Sequence, residues 1–267
     1  MRSFGISRGF FAVAIASVAV FGLVFGDFAP NGTKWTDWFP DSESWVYGSS
    51  GILLAASAGL CFARTLAPSA WTISAYFCAW AVSGAFDAAS RPLAVLSWYD
   101  ACEALAGLVA TWIFFGLYRG PALGSKTSAG ASERYERAAR ILFGLACVEF
   151  GLGHFALADY TASMVPTWLP GRLAFAYLTG FGHLAAGIAL IAGNLPRLAV
   201  TLEAIMMSLF GLLVWLPSLF MQTPPEWATP PHKQWSEIVV NLVLAASAWI
   251  VAASLRDRPW GFASASR

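Results

Sequence analysis

Apolar residues gather along this chain in eight long stretches separated by short polar segments. Each stretch approaches the ~20 mostly apolar residues that a helix needs to cross a bilayer. They run over Gly9–Gly26, Ser49–Thr65, Ser69–Ala88, Trp98–Tyr118, Ala139–Ala158, Arg172–Gly193, Leu198–Pro217 and Trp235–Leu255. The pattern predicts an all-α integral membrane protein with eight transmembrane helices. Arg2 and Arg8 ahead of the first stretch, with Val24-Phe25-Gly26 at its end, imitate a secretory signal. The apolar run is long for a signal peptide, however, and is read as a span.

Composition agrees with the pattern. Of 267 residues, 58% are hydrophobic and only 12% are Asp, Glu, Lys or Arg, with a mean hydropathy of +0.62. Soluble domains carry ~25% charged residues, so the lipid bilayer is the first expected partner. A formal net charge of +1 without a basic block excludes nucleic acid. The four cysteines lie in apolar stretches without C-x-x-C or Cys/His spacing, so neither a metal site nor a disulfide framework is expected. Nucleotide-binding loops, G-x-S-x-G and zinc-protease motifs are missing, and the residues name no reaction.

An even number of spans puts both ends on one side. Arg2, Arg8, Arg64, Arg119, Lys126, Arg134, Arg137, Arg140, Arg197, Arg256, Arg258 and Arg267, 12 of the 16 basic residues, fall on that side, leaving Lys34, Arg91, Arg172 and Lys233 on the other. The positive-inside rule then places both termini in the cytoplasm. Trp35, Trp38, Trp45, Trp98, Trp168, Trp227 and Trp235 fall at the opposite ends of the spans, as an interfacial belt would.

The chain also resembles itself. Trp38-Phe39-Pro40 with Tyr47 recurs 130 residues later as Trp168-Leu169-Pro170 with Tyr177. Trp98, Asp100, Trp112 and Ile113 recur at an offset of 137 as Trp235, Glu237, Trp249 and Ile250, and Gly26-Asp27-Phe28 matches Gly153-His154-Phe155 less closely at 127. Two four-helix units follow, residues 1–119 and 139–267, joined by a Gly/Ala/Ser-rich cytoplasmic linker at 120–138. Units with even numbers of spans insert in the same orientation, giving parallel-repeat four-helix bundles.

The second half, with Gly151-Leu152-Gly153-His154-Phe155, Val165-Pro166-Thr167-Trp168-Leu169-Pro170, Tyr177-Leu178-Thr179-Gly180 and Met206-Met207 ahead of Leu213-Val214-Trp215-Leu216-Pro217, resembles the DoxX-like membrane proteins of bacteria. Gly26-Asp27-Phe28-Ala29-Pro30 and the segment from Trp98 to Glu103 resemble the first half of the family's duplicated members. The resemblance implies a four-helix unit and the bacterial cytoplasmic (inner) membrane. It also implies a link to quinol or thiosulfate oxidation through a partner redox enzyme, and it carries no catalytic residues onto this chain.

Ionisable groups inside spans are costly and need a partner or a role. Glu149 and His183 fall near the middles of the fifth and sixth stretches, and His154 lies nearer the outer surface. Helical spacing puts Gly144, Cys147, Gly151 and His154 on one seam and Gly180, His183 and Gly187 on another, which lets the two backbones approach. Five residues turn Glu149 roughly 140° away from His154, so the two do not form a simple dyad. Glu237 and Asn241 share a face behind Trp235. Together Glu149, His154, His183, Trp235, Glu237 and Asn241 form the candidate ligand-binding set, and interhelical hydrogen bonding is the plainer reading of the same residues.

A second polar cluster comprises Asp27, Asp87, Asp100 and Glu103 near the outer ends of the spans, where helix N-termini also favour acids. Glu203 is placed to reach the helix interface or Arg197. Paired histidines raise haem, which is disfavoured because their depths differ by ~7 Å and a closed seam leaves little room. The mid-membrane acid, two histidines and many aromatics suit a quinone or similar lipophilic ligand, making the chain a redox-linked accessory. A small proton-coupled transporter and a non-catalytic scaffold fit the same residues.

Overall fold

The computed structural model describes residues 2–28, 42–122, 126–221 and 231–261, with side chains at 5–28, 43–115, 133–221 and 232–261. Among the described residues the chain is helical throughout: α1 Arg2–Phe25, α2 Ser42–Gly59, α3 Leu66–Ala89, α4 Tyr99–Ala122, α5 Lys126–Ala156, the short α6 Ala158–Met164, α7 Arg172–Ala192, α8 Pro196–Phe210 and α9 Pro231–Ser254. A 3-10 turn, Val95–Trp98, leads into α4, and α8 continues through a π-helical segment, Gly211–Trp215, to Ser218.

The expected eight spans are corrected. Among the described residues five helices are long and apolar enough to cross a membrane: Gly5–Phe25, Glu133–Ala156, Arg172–Ala192, Pro196–Ser218 and His232–Ser254. The stretches assigned to α2, α3 and α4 are not among them. Ser and Gly fill eight of the 18 positions of α2. In α3, Pro68, Trp71, Thr72, Tyr76 and Asp87 dilute the apolar run, and the part of α4 described with side chains, 99–115, is shorter than a span. In α2 and α3 the average hydropathy falls below what a span needs. Without an even count, the reasoning that put both termini on one side loses its basis.

The expected linker is also different. Residues 120–122 complete α4, and α5 is helical from Lys126, so most of 120–138 is helix rather than a loose joint. Ala, Glu and Arg in that stretch are strong helix formers and outweigh its Ser and Gly. The remaining linker residues, with Trp35, Trp38, Trp227 and the Trp38-Phe39-Pro40 motif, lie outside the described residues.

Each helix packs on its neighbour in a closed order, α1 on α2, α2 on α3, α3 on α4, α4 on α5, α5 on α7, α7 on α8, α8 on α9 and α9 back on α1. α9 also crosses to α4, and it is the most enclosed of the five apolar helices: 72% of its apolar window is buried, against 28–44% for the others. Its Val243, Ala246, Ile250 and Val251 meet Phe11, Phe114 and Phe143 in one continuous core. Ser74 and Thr111 hydrogen-bond at 2.6 Å where α3 crosses α4, which satisfies two hydroxyls in a buried place.

The exterior is apolar. Val13, Trp71, Phe86, Phe181, Ile188, Leu202 and Leu212 all point outward and are exposed. A soluble protein does not tolerate so extensive an apolar surface, so this is a membrane-like helical protein. Trp45, Trp98, Trp168 and Trp235 are exposed as well.

Candidate functional site

Glycines bring α5 and α7 into backbone contact. A Cβ on Gly144 would lie 2.9 Å from the Gly187 carbonyl oxygen, one on Gly187 2.6 Å from that of Gly144, and one on Gly151 2.9 Å from that of Gly180. Helices this close carry the next residues of the seam into contact. The His154 and His183 rings meet with centroids 4.8 Å apart, so the depth difference counted along the sequence does not separate them. Phe210 from α8 closes over both, at 5.9 and 5.8 Å.

Each imidazole is oriented by its Nδ1. His154 Nδ1 stands 2.8 Å from the Phe150 carbonyl oxygen, which can only accept, so the proton sits on Nδ1 and donates. His183 Nδ1 is 2.8 Å from Glu203 Oε1, and both of these side chains are fully buried. The alternative partner expected for Glu203 is engaged elsewhere: Arg197 donates to the Arg258 carbonyl at 3.3 Å and lies 4.0 Å over the Trp260 ring. Glu203 sits one turn before Met207 on α8, facing α7, a placement that depends on how α8 is rotated and not on its sequence spacing alone.

His183 forms part of the wall of a cavity of about 330 Å³ between α4, α5, α6, α7, α8 and α9. Tyr99, Glu103, His154, Tyr160, Glu237 and Asn241 supply its other polar groups, and Leu157, Met164, Met207, Phe210, Val214 and Leu244 much of its apolar wall. Glu203 is not on the wall, so His183 stands between it and the cavity. Two wall residues each hold a buried polar atom without a hydrogen-bond partner, His183 Nε2 and Asn241 Oδ1. Leaving such atoms unpaired costs ~1–3 kcal/mol each, which a polar group in the cavity would relieve.

Residue spacing does not foretell the π-helical turn of α8 beside this space. Pro217 has no N–H to offer the carbonyl one α-helical turn back. The helix widens ahead of it, and the Leu216 N–H bonds to Gly211 O, five residues back. Such π turns are frequent at functional sites. This one puts Val214 and Trp215 on the cavity wall. Asn241 Oδ1 rests against Gly211, where an added Cβ would come within 2.7 Å.

The structure gathers part of each predicted set. His154, His183, Glu237 and Asn241 line the cavity, and Glu103 joins them from the second cluster. Glu149 does not line it; its Oε1 is buried without a partner elsewhere on α5. Trp235 is exposed and off the wall. Asp27 accepts from the Phe28 N–H at 2.8 Å and lies 3.9 Å from Lys233. Tyr99, Tyr160 and Phe210 were missed, since aromatic residues are too common along this chain to stand out, and Glu203 was singled out but assigned to the helix interface or Arg197. At the other end of the bundle a polar cavity of about 440 Å³ is lined by Arg137, Arg140, Arg258 and Glu136. Arg258 pairs there with Glu136 at 2.9 Å, and Arg140 donates to the Leu190 carbonyl at the end of α7.

Asp100 lies in the first turn of α4, outside the five apolar helices, with Asp87 nearby. Burial first, and the Asp87 charge second, push its carboxyl up from 3.8 to about 6. Between those values the folded chain holds more protons than the unfolded one, so stability falls as the pH rises across that window and the loss persists above it. Asp100→Asn is expected to flatten the melting temperature between these pH values and to raise it at pH 7, as read by thermal unfolding in detergent.

Compared with family models, curated proteins and solved structures, the chain matches none.

Proposed function

We propose that the chain binds a lipophilic small molecule of the quinone class in the cavity between α4 and α9, as a membrane accessory to a redox enzyme that supplies the electrons. The observation carrying this reading is the pairing of an apolar cavity large enough for a ring with two wall residues, His183 and Asn241, whose Nε2 and Oδ1 are buried without a partner. Ligand sites combine these properties: an apolar wall for affinity and a few convergent polar groups for orientation. The resemblance to DoxX-like proteins agrees with a redox setting and with the bacterial cytoplasmic membrane. An internal duplication is supported by the packing order: exchanging α1, α2, α3 and α4 for α5, α7, α8 and α9 leaves the sequence of contacts unchanged.

Extraction and mass spectrometry of small molecules retained in mild detergent test the reading. Wild type and Glu149→Gln, which leaves the cavity wall intact, are expected to retain the same isoprenoid quinone. Ordinary phospholipid alone, equal in wild type and cavity variants, would sink the proposal and leave transport or scaffolding. Gly211→Ala is a finer probe, because its methyl group displaces the Asn241 carboxamide. Loss of one hydrogen bond of ~0.5–1.5 kcal/mol predicts retention lower by roughly two- to tenfold in titrations with the purified quinone.

A further inference from the structure

We infer that the buried His183–Glu203 pair is a proton relay serving the cavity, with His183 exchanging the proton with the ligand and Glu203 reloading His183 from the far side. This deepens the quinone reading and rests on it. The geometry gives the pair a direction. His183 is a residue of the cavity wall whose Nε2 is buried without a partner, Nδ1 is bonded to Glu203 Oε1 at 2.8 Å, and Glu203 Oε2 has no hydrogen bond and lies off the wall. An imidazole accepts a proton at one nitrogen and releases another from the opposite one, so one proton crosses the pair in a single orientation of the ring. Glu203 also lies seven residues inside α8 from Pro196, which lines the Arg-rich cavity, a distance of ~10 Å along the helix.

The step balances as follows. A reductant outside the chain supplies two electrons to a quinone in the cavity. With Glu203 protonated on Oε1 and neutral His183 carrying its proton on Nε2, the His183 Nε2–H bond breaks as an O–H bond forms on a quinone oxygen, and the Glu203 Oε1–H bond breaks as the proton joins His183 Nδ1. Glu203 is left as a carboxylate and takes a replacement proton at Oε2 from the far side. The pair so delivers one proton of the quinol, and the ring must turn, exchanging Nδ1 and Nε2, before it delivers a second.

The test is infrared difference spectroscopy of the full chain in nanodiscs, loaded with menadione and reduced by dithionite. Reduction is expected to change a carboxyl C=O stretch that is lost in Glu203→Gln while menadione stays bound. The same stretch should persist in Glu149→Gln and in variants of the wall acids, Glu103→Gln and Glu237→Gln. In wild type alone the band should shift in D2O, a readout that needs no variant to fold. A carboxyl signal unchanged in menadione-loaded Glu203→Gln, or no exchangeable carboxyl signal in loaded wild type, overturns the relay and leaves the binding site standing. Wild type that takes up no menadione overturns the site and the relay together.

Discussion

His183→Ala is expected to empty the cavity and to destabilise the fold at once, through two separable costs. The first is the lost donor to the ligand; a hydrogen bond involving a charged partner contributes ~1.5–3 kcal/mol, so quinone retention should fall by roughly ten- to a hundredfold. The second is Glu203, whose fully buried side chain would lose its partner. Breaking a buried pair from one side costs ~3–5 kcal/mol, while replacing both members with apolar groups is often nearly neutral. His183→Ala alone should therefore melt well below wild type, whereas His183→Ala combined with Glu203→Leu should recover most of the melting temperature and none of the ligand. Thermal unfolding and quinone content measured on the same samples separate the two. Recovery of ligand in the double variant would place the binding group elsewhere.

The α5–α7 seam carries the second large effect. A methyl at Gly187 would meet the Gly144 carbonyl at 2.6 Å and Val148 Cγ2 at 2.8 Å. Backbone on the other side cannot rotate away as a long side chain can. Gly187→Ala is expected to cost at least the ~1–3 kcal/mol of overpacking and to lower the melting temperature and folded yield accordingly. Gly51→Ala is the matched control, since nothing stands within 4 Å of its added methyl. There the gain in helix propensity, ~0.5–1 kcal/mol, should prevail. Equal melting of the two variants would contradict the close contact.

This seam was legible in the sequence because it depends only on spacing along single helices: Gly144 and Gly151, and Gly180 and Gly187, recur at seven residues. Both histidines were placed on this seam, but the depth count that set them ~7 Å apart missed their contact. What spacing does not encode is the rotation of a third helix, so Glu203 was assigned to an interface or to Arg197 and not to His183. The span count failed for a different reason. A segment such as Leu66–Ala89 has the length of a span, but its Ser, Thr, Tyr and Trp lower its average hydropathy, and length and average had been taken to agree. The π turn was hidden because Pro217 announces a disturbance without saying whether the helix will stop, kink or widen. The parting of Asp27, beside Lys233, from Asp87 and Asp100, which lie together, reflects the same limit: shared depth in the bundle is not shared position around it.

The glycine contact between α5 and α7 has a mechanical consequence for how any molecule enters the cavity. Two backbones in van der Waals contact along several turns have no slack, because sliding or parting them gives up a whole line of contacts together. The histidines therefore stand on the stiff wall. The other side is less tightly built, where α8 opens into a π turn ahead of Pro217 and the seven-residue α6 covers the cavity. Of the two, that side is the one that can yield without parting the glycine seam.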